Sequence, residues 1–245
     1  MEEKDNGEFI RLDRLLSKAA ALSRRDAKRA VSFGRITVDG SIIRSPELKI
    51  PSTSTVCFDG KKLIYNENVY LMLNKPAGYV CANDDPKSPN VFELLGDEYK
   101  KDELFTIGRL DKNTTGLLII TNNGTAAHFL LSPKRHVKKK YSIKTKFPLT
   151  DEDAKAFLEG VDIGEKTLTK TAFLEICEDK FTGYLTITEG KFHQIKRMLD
   201  ARKNKITALQ RVSFGPIFLD GKLALGKYRA LTGEEIKALE DTAKI

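Results

Sequence analysis

Strand-like runs outnumber helical ones along this chain, and their order lacks the regular βαβ rhythm of a parallel sheet. Val69-Tyr70-Leu71-Met72-Leu73 is an apolar strand that stops at Asn74-Lys75-Pro76-Ala77-Gly78. Leu117-Leu118-Ile119-Ile120-Thr121 is a buried strand, and Tyr184-Leu185-Thr186-Ile187-Thr188 alternates like a strand with one covered face. Local punctuation sets helices between them. Asn122-Asn123-Gly124 turns into a short helix ending at Leu131, Thr150 with Asp153 opens another that Gly160 closes, and Thr232 with Glu235 caps a last one. This mixture predicts an α+β fold on a mostly antiparallel or mixed sheet.

The first sixty residues differ in character. Residues 9–44 hold nine cations (Arg11, Arg14, Lys18, Arg24, Arg25, Lys28, Arg29, Arg35 and Arg44) against Asp13, Asp26 and Asp39. Leu12, Leu15, Leu16, Ala19 and Ala20 recur at helical spacing. Ser23 followed by Asp26 marks the start of a second helix, which Gly34 is placed to end in a left-handed conformation. Arg35-Ile36-Thr37-Val38 then reads as a strand running into the hairpin turn Asp39-Gly40. A second strand-and-turn pair, Val56-Cys57-Phe58 and Asp59-Gly60, follows the break at Pro46, Pro51 and Ser52-Thr53-Ser54-Thr55. The expectation is a small α/β module over 9–60, a linker over 61–68 and a larger domain over 69–245. Arginines on short helices are often just a solvated face; here they concentrate on one helix pair and the adjoining turn. Arg11-Leu12-Asp13-Arg14-Leu15-Leu16, Ser23-Arg24-Arg25-Asp26-Ala27 and Gly34-Arg35-Ile36-Thr37-Val38-Asp39-Gly40 resemble the RNA-binding domain of the ribosomal protein S4 type. The resemblance implies RNA contact by Arg11, Arg14, Arg24, Arg25, Lys28 and Arg35.

Composition narrows the function classes. The 245 residues carry a net charge of +8, with a pI near 9.2, which favours polyanionic partners. No apolar run approaches the roughly 20 residues of a membrane span, and Met1-Glu2-Glu3-Lys4-Asp5-Asn6-Gly7 lacks the apolar core of a signal peptide. A cytoplasmic protein is expected, and a monomer, since no heptad repeat is present. Cys57, Cys81 and Cys177 lie far apart, with neither zinc nor disulfide spacing. His128, His136 and His193 are not spaced as a metal site, and no phosphate-binding glycine loop or dinucleotide fingerprint occurs. No metal and no cofactor are expected.

Three segments can carry chemistry. Gly108-Arg109-Leu110-Asp111-Lys112-Asn113-Thr114-Thr115-Gly116 puts one acid on a polar loop before a buried strand. A carboxylate held there, beside a cation that keeps it ionised, can be a nucleophile or a base; it can also be a loop aspartate bonded to nearby backbone N–H groups. Glu189-Gly190-Lys191-Phe192-His193-Gln194-Ile195-Lys196-Arg197-Met198-Leu199 reads as a strand end turning into a helix, with cations that either reach Asp111 or only face solvent. Pro133-Lys134-Arg135-His136-Val137-Lys138-Lys139-Lys140-Tyr141-Ser142-Ile143-Lys144-Thr145-Lys146 is a basic stretch with one aromatic inside it. It suits phosphates with a base stacked on Tyr141, or else an edge strand guarded by lysines.

Together these motifs resemble the pseudouridine synthases, specifically the RsuA branch that modifies small-subunit ribosomal RNA. Gly108-Arg109-Leu110-Asp111 with Thr115-Gly116-Leu117, the early Lys75-Pro76-Ala77-Gly78, Lys140-Tyr141, the late Gly190-to-Met198 segment and the closing Gly226-Lys227-Tyr228-Arg229-Ala230-Leu231-Thr232 all match. The resemblance implies that Asp111 is the catalytic acid, that Tyr141 stacks on the extruded uracil, and that Arg109 helps hold the RNA. It implies Lys196 as the cation paired with Asp111, with Arg197 next to it as a phosphate or structural contact, on the view that successive strand residues face opposite sides. The implied target is a uridine of 16S rRNA, uridine 516 in this branch, within an assembling small subunit. The other readings are the same chemistry on 23S rRNA or a tRNA, a non-catalytic RNA-binding or ribosome-assembly factor, and a metal-dependent nuclease, which the lack of further carboxylates around Asp111 disfavours.

Overall fold

The computed structural model describes residues 9–20, 22–51, 54–63, 68–81, 88–97, 99 and 103–243. They form two compact units, divided between Glu67 and Asn68.

The first unit contains β1 (Phe9–Arg11), α1 (Leu12–Ala19), α2 (Arg24–Ser32), β2 (Ile36–Val38), β3 (Ser41–Ile42), β4 (Lys49–Pro51), β5 (Val56–Phe58) and β6 (Lys61–Lys62). β3, β2, β5 and β6 make an antiparallel ribbon in that order, and β1 pairs with β4. The helices form because Leu12, Leu15, Leu16, Ala27, Ala30 and Val31 share one apolar interior with Ile36, Ile50 and Val56. Ser23 caps α2, accepting from the Asp26 N–H at 3.2 Å. Gly34 closes the helix at φ +71°. Asp39 and Gly40 both take positive φ, 49° and 84°, as a tight hairpin turn of this hand requires. Asp59 and Gly60 repeat the device and return the chain into β6. Lys61 and Lys62 are therefore strand residues of the module and not linker as expected; residues 64–67 of that linker lie outside the described residues.

The second unit is built on a mixed sheet of nine strands. They are β7 (Tyr70–Lys75), β8 (Phe105–Ile107), β9 (Thr115–Thr121), β10 (Lys139–Thr145), β11 (Phe173–Ile176), β12 (Thr182–Ile187), β13 (Ile206–Phe214), β14 (Ile217–Phe218) and β15 (Tyr228–Ala230). The main order is β11-β12-β10-β13-β9-β7-β15, with β8 on β9 and β14 on β13. Every pairing is antiparallel except β9 with β13, where Arg211 lies opposite Gly116. α3 (Gly124–Leu131), α4 (Asp151–Glu159), α5 (Gln194–Ala201) and α6 (Gly233–Ala243) accompany the sheet. Thr150 and Thr232 cap α4 and α6 as read in the sequence, Asn123 of the expected turn caps α3, and each accepts from the backbone N–H three residues on, whereas His193 before α5 makes no side-chain cap.

The apolar run of β9 is explained by covering on both faces. Leu118 and Ile120 join Leu71, Leu73, Ile143 and Leu185 in one core, where α5 contributes Ile195, Met198 and Leu199. Leu117 and Ile119 join Tyr70, Met72 and Phe214 in the other, under Leu130 of α3 and Leu239 of α6. Gly116 makes the parallel contact possible: it has φ +100°, and a Cβ there would lie 2.3 Å from the Arg211 carbonyl oxygen. The central sheet thus brings the loop before β9, the floor of β10 and β13, and the start of α5 to one place.

Candidate active site

Asp111 sits on the loop between β8 and β9, and that loop is held from beneath. The Lys75 side chain, at the end of β7, is fully buried. Its ammonium donates to the carbonyls of Pro76 (3.0 Å), Asp111 (3.1 Å), Lys112 (3.1 Å) and Thr114 (2.9 Å). Four backbone oxygens around one cation fix the path of the loop on both sides of Asp111. Burial pushes the Lys75 ammonium down to about 8. Leu110, 6% exposed, anchors the loop in the apolar core, and the Gly78 N–H donates to the Lys112 carbonyl at 2.9 Å.

The carboxylate meets its cation across 85 residues of sequence. Lys196 Nζ donates to Asp111 Oδ2 at 2.7 Å, a charge-assisted bond of short length. His193 Nε2 stands 3.7 Å from Asp111 Oδ1. Lys196 is on α5, not on a strand, so strand alternation is not what separates it from Arg197. Neighbours on a helix diverge by about 100°. Ile195, Met198 and Leu199 face the core and fix the rotation of the helix, which leaves Lys196 on the Asp111 side. Arg197 is engaged elsewhere, with Glu165 at 2.8 Å, the Phe192 carbonyl at 3.1 Å and the Ile163 carbonyl. It ties the loop before α5 to the segment around Ile163, a structural contact, one of the two roles expected of it. Lys196→Met is expected to lower kcat by about 10- to 150-fold, since a hydrogen bond to a charged group contributes roughly 1.5–3 kcal/mol. Arg197→Met should instead lower the melting temperature and spare kcat. Steady-state kinetics beside thermal melting separates the two, and similar kinetics for both variants would show that Lys196 has no special role.

Tyr141 lies on β10 at 7% exposure and lines the same cleft as Asp111. The β10–β13 ladder slips between Lys140 and Tyr141, so that Lys140 pairs with Ser213 and Tyr141 with Arg211. A bulge of this kind re-aims the flanking side chains. Because β10 runs between β12 and β13, the guarded-edge reading of the basic stretch fails. Its lysines have separate fates: Lys140 pairs with Glu175 at 2.8 Å, whereas burial pushes Lys139, which lines the cleft, down to about 8, with the Arg211 charge adding to the effect.

Arg109 is exposed at the cleft beside Asp111. The cleft, about 750 Å³, is walled by the 108–112 loop on one side and the 188–193 segment on the other. Two residues that sequence reasoning missed belong here. Lys75 was visible only as part of a strand-to-loop motif. Arg211 carried no signal at all: it is 1% exposed, donates through Nε to the Leu117 carbonyl at 2.7 Å, and lies under Gly108. Among the described residues no group of three or more His, Cys, Asp or Glu is placed to hold a metal ion, and no helix is long and apolar enough to cross a membrane.

In the first unit the expected RNA contacts divide. Arg14, Arg24, Arg25 and Lys28 are exposed, and Lys28 approaches Glu47 only at 3.9 Å. Arg11 is bonded to Asp13 at 2.8 Å. Arg35 is bonded to Asp59 and stacks over Phe58 at 4.6 Å. The latter two shape the module's surface as well as charging it.

A mixed sheet with a lysine-paired carboxylate in a cationic cleft, in a chain that also carries a separate basic module, describes an enzyme that modifies RNA. A sequence model of the RNA pseudouridylate synthase family matches residues 69–201, and one of the S4 domain matches residues 10–56. The ribosomal small subunit pseudouridine synthase A of Escherichia coli K12 is 41% identical over 232 residues, 94% of this chain and all of that one. The uncharacterized RNA pseudouridine synthase YtzG of Bacillus subtilis is 41% identical over 236 residues, 95% of this chain and 99% of that one. A crystal structure of a pseudouridylate synthase superposes with a TM-score of 0.67 at 37% identity, covering 94% of this chain and 99% of that one. The chain belongs to the RNA pseudouridylate synthase family and carries an S4 domain at its N-terminal end.

Proposed function

We propose that this enzyme isomerises one uridine of 16S ribosomal RNA to pseudouridine, with Asp111 as the catalytic carboxylate. The observation that carries the reading is the 2.7 Å bond between Asp111 and Lys196 at the foot of a cleft lined by cations and Tyr141. The substrate follows from relatives matched over nearly their whole length and named for the ribosomal small subunit; uridine 516 is the specific target proposed.

The reaction breaks the bond between uracil and ribose, turns the base and rejoins it through carbon. Nothing is oxidised or reduced overall, so the chemistry calls for no redox cofactor. A uridine in folded RNA must first leave its stack, which costs a few kcal/mol. Backbone contacts and stacking at about 1–3 kcal/mol per base offset that cost. Tyr141 is the bed for the extruded uracil. Lys196 takes one oxygen of Asp111 and leaves Oδ1 for the sugar, whether it attacks the anomeric carbon or removes a neighbouring proton. Arg109 holds the strand, and Arg14, Arg24, Arg25 and Lys28 of the S4 domain raise the local RNA concentration, with Arg11 and Arg35 completing that surface. The enzyme acts as a monomer in the cytoplasm, on the assembling small subunit.

Site-resolved pseudouridine mapping of total RNA, with and without the gene for this chain, tests the reading. One 16S position is expected to disappear without it. Loss of a position in 23S rRNA or a tRNA would overturn the substrate, and an unchanged map would overturn the catalytic role.

A further inference from the structure

Phe192 stands at the rim of the cleft with 74% of its surface exposed, more than any other large apolar side chain among the described residues. An exposed phenylalanine alone means little, but this ring is held. It lies flat on the His193 imidazole, with centroids 3.9 Å apart and planes 18° from parallel. The Phe192 carbonyl accepts from Arg197 at 3.1 Å. His193 occupies the left-handed region at φ 49°, uncommon for a non-glycine residue, and reaches to 3.7 Å from Asp111. One face of the Phe192 ring is therefore backed by His193, the other is open, and the pair is set at a fixed distance from the carboxylate.

The cleft also holds cations: Arg109 is exposed in it, and Lys191 lines it while bonded to the Thr167 carbonyl at 3.2 Å and paired with Glu165 at 3.3 Å. A flat apolar face among cations suits a nucleotide, whose base stacks while its phosphates are neutralised. The target uracil is not the occupant, because Tyr141 lies deep in the cleft and Phe192 at its rim. We propose that the Phe192–His193 stack is a binding platform for the base adjoining the target uridine, holding the strand open once that uridine has turned out. The proposal rests on the reading that the substrate is a uridine within folded RNA. Since every base has a π face, the platform supports opening of the strand without choosing the sequence.

The test is a cycle between protein and RNA. Synthetic hairpins carrying the uridine that the wild-type enzyme converts are made with either neighbouring base intact or replaced by an abasic nucleotide. Phe192→Ala, a change at an exposed site, is expected to lower kcat/KM about tenfold on the intact hairpin, mainly through KM. The wild type should lose about as much on one of the two abasic hairpins, and Phe192→Ala should lose nothing further there. Phe192→Tyr should restore wild-type behaviour. Losses that multiply at both abasic positions, or a Phe192→Ala enzyme as fast as wild type, overturn the platform. Which RNA is converted is read from the wild type alone. A target outside 16S rRNA would defeat the substrate reading, and the same cycle on that RNA would still decide the platform.

Discussion

Asp111→Asn is expected to stop pseudouridine formation, with a loss on the order of 10⁴-fold or more in single-turnover rate. Asparagine matches aspartate in shape and keeps an oxygen for Lys196 Nζ. It has no negative charge with which to attack a sugar carbon or take a sugar proton. The carboxylate is part-exposed and makes no bond that supports the core: its one hydrogen bond among the described residues is the 2.7 Å contact with Lys196. The variant should therefore melt within a few degrees of wild type and bind RNA within a few-fold. Release of the C5 hydrogen from RNA labelled at that position follows the reaction directly, because C5 becomes the new point of attachment to ribose. Residual activity within tenfold of wild type would remove Asp111 from the chemistry.

The second large effect is on stability. Lys75→Met keeps the length of the side chain but removes the ammonium that four carbonyls share. The bond to Thr114 is buried and the other three are part-buried, and leaving such acceptors without a donor costs roughly 1–3 kcal/mol apiece. For a protein of this size that lowers the melting temperature by roughly 10 °C or more. Activity should fall as well, since the path of the Asp111 loop is set by the same bonds. A shift of less than about 3 °C would mean that the loop is held without Lys75.

Titration of Lys75 adds a pH signature. Burial places its folded value at about 8, below the 10.5 of the free side chain. Between those values the unfolded chain binds more protons than the folded one, so the lysine's contribution to stability rises with pH across about 8 to 10.5. Below 8 both states are protonated and the contribution stays at its least favourable level. Lys139, also about 8, acts in the same sense. Urea unfolding from pH 7.5 to 10.5 should show a shallower rise for Lys75→Met than for wild type; parallel curves would contradict a buried, titrating Lys75.

Local order is written in short stretches of the chain. Ser23, Asn123, Thr150 and Thr232 cap the helices read from them, and Asp39-Gly40 and Asp59-Gly60 make the hairpins, because these signals act over three or four residues and need no distant partner. The loop bearing Asp111 and the strand behind it are equally plain in the sequence, as is the resemblance carried by ordered motifs. Tertiary structure decided the rest. Lys196 and Arg197 are adjacent in sequence, and only the burial of Ile195, Met198 and Leu199 turns one toward Asp111 and the other toward Glu165. The basic stretch around Tyr141 resembles an edge strand, and its place inside the sheet rests on pairings with β12 and β13, far along the chain, as between Tyr141 and Leu185 and between Tyr141 and Arg211. Lys75 and Arg211 look like any surface cations in one dimension. Their importance lies in being buried against carbonyls from distant segments, and burial is a property of the packed fold that no local window of sequence contains.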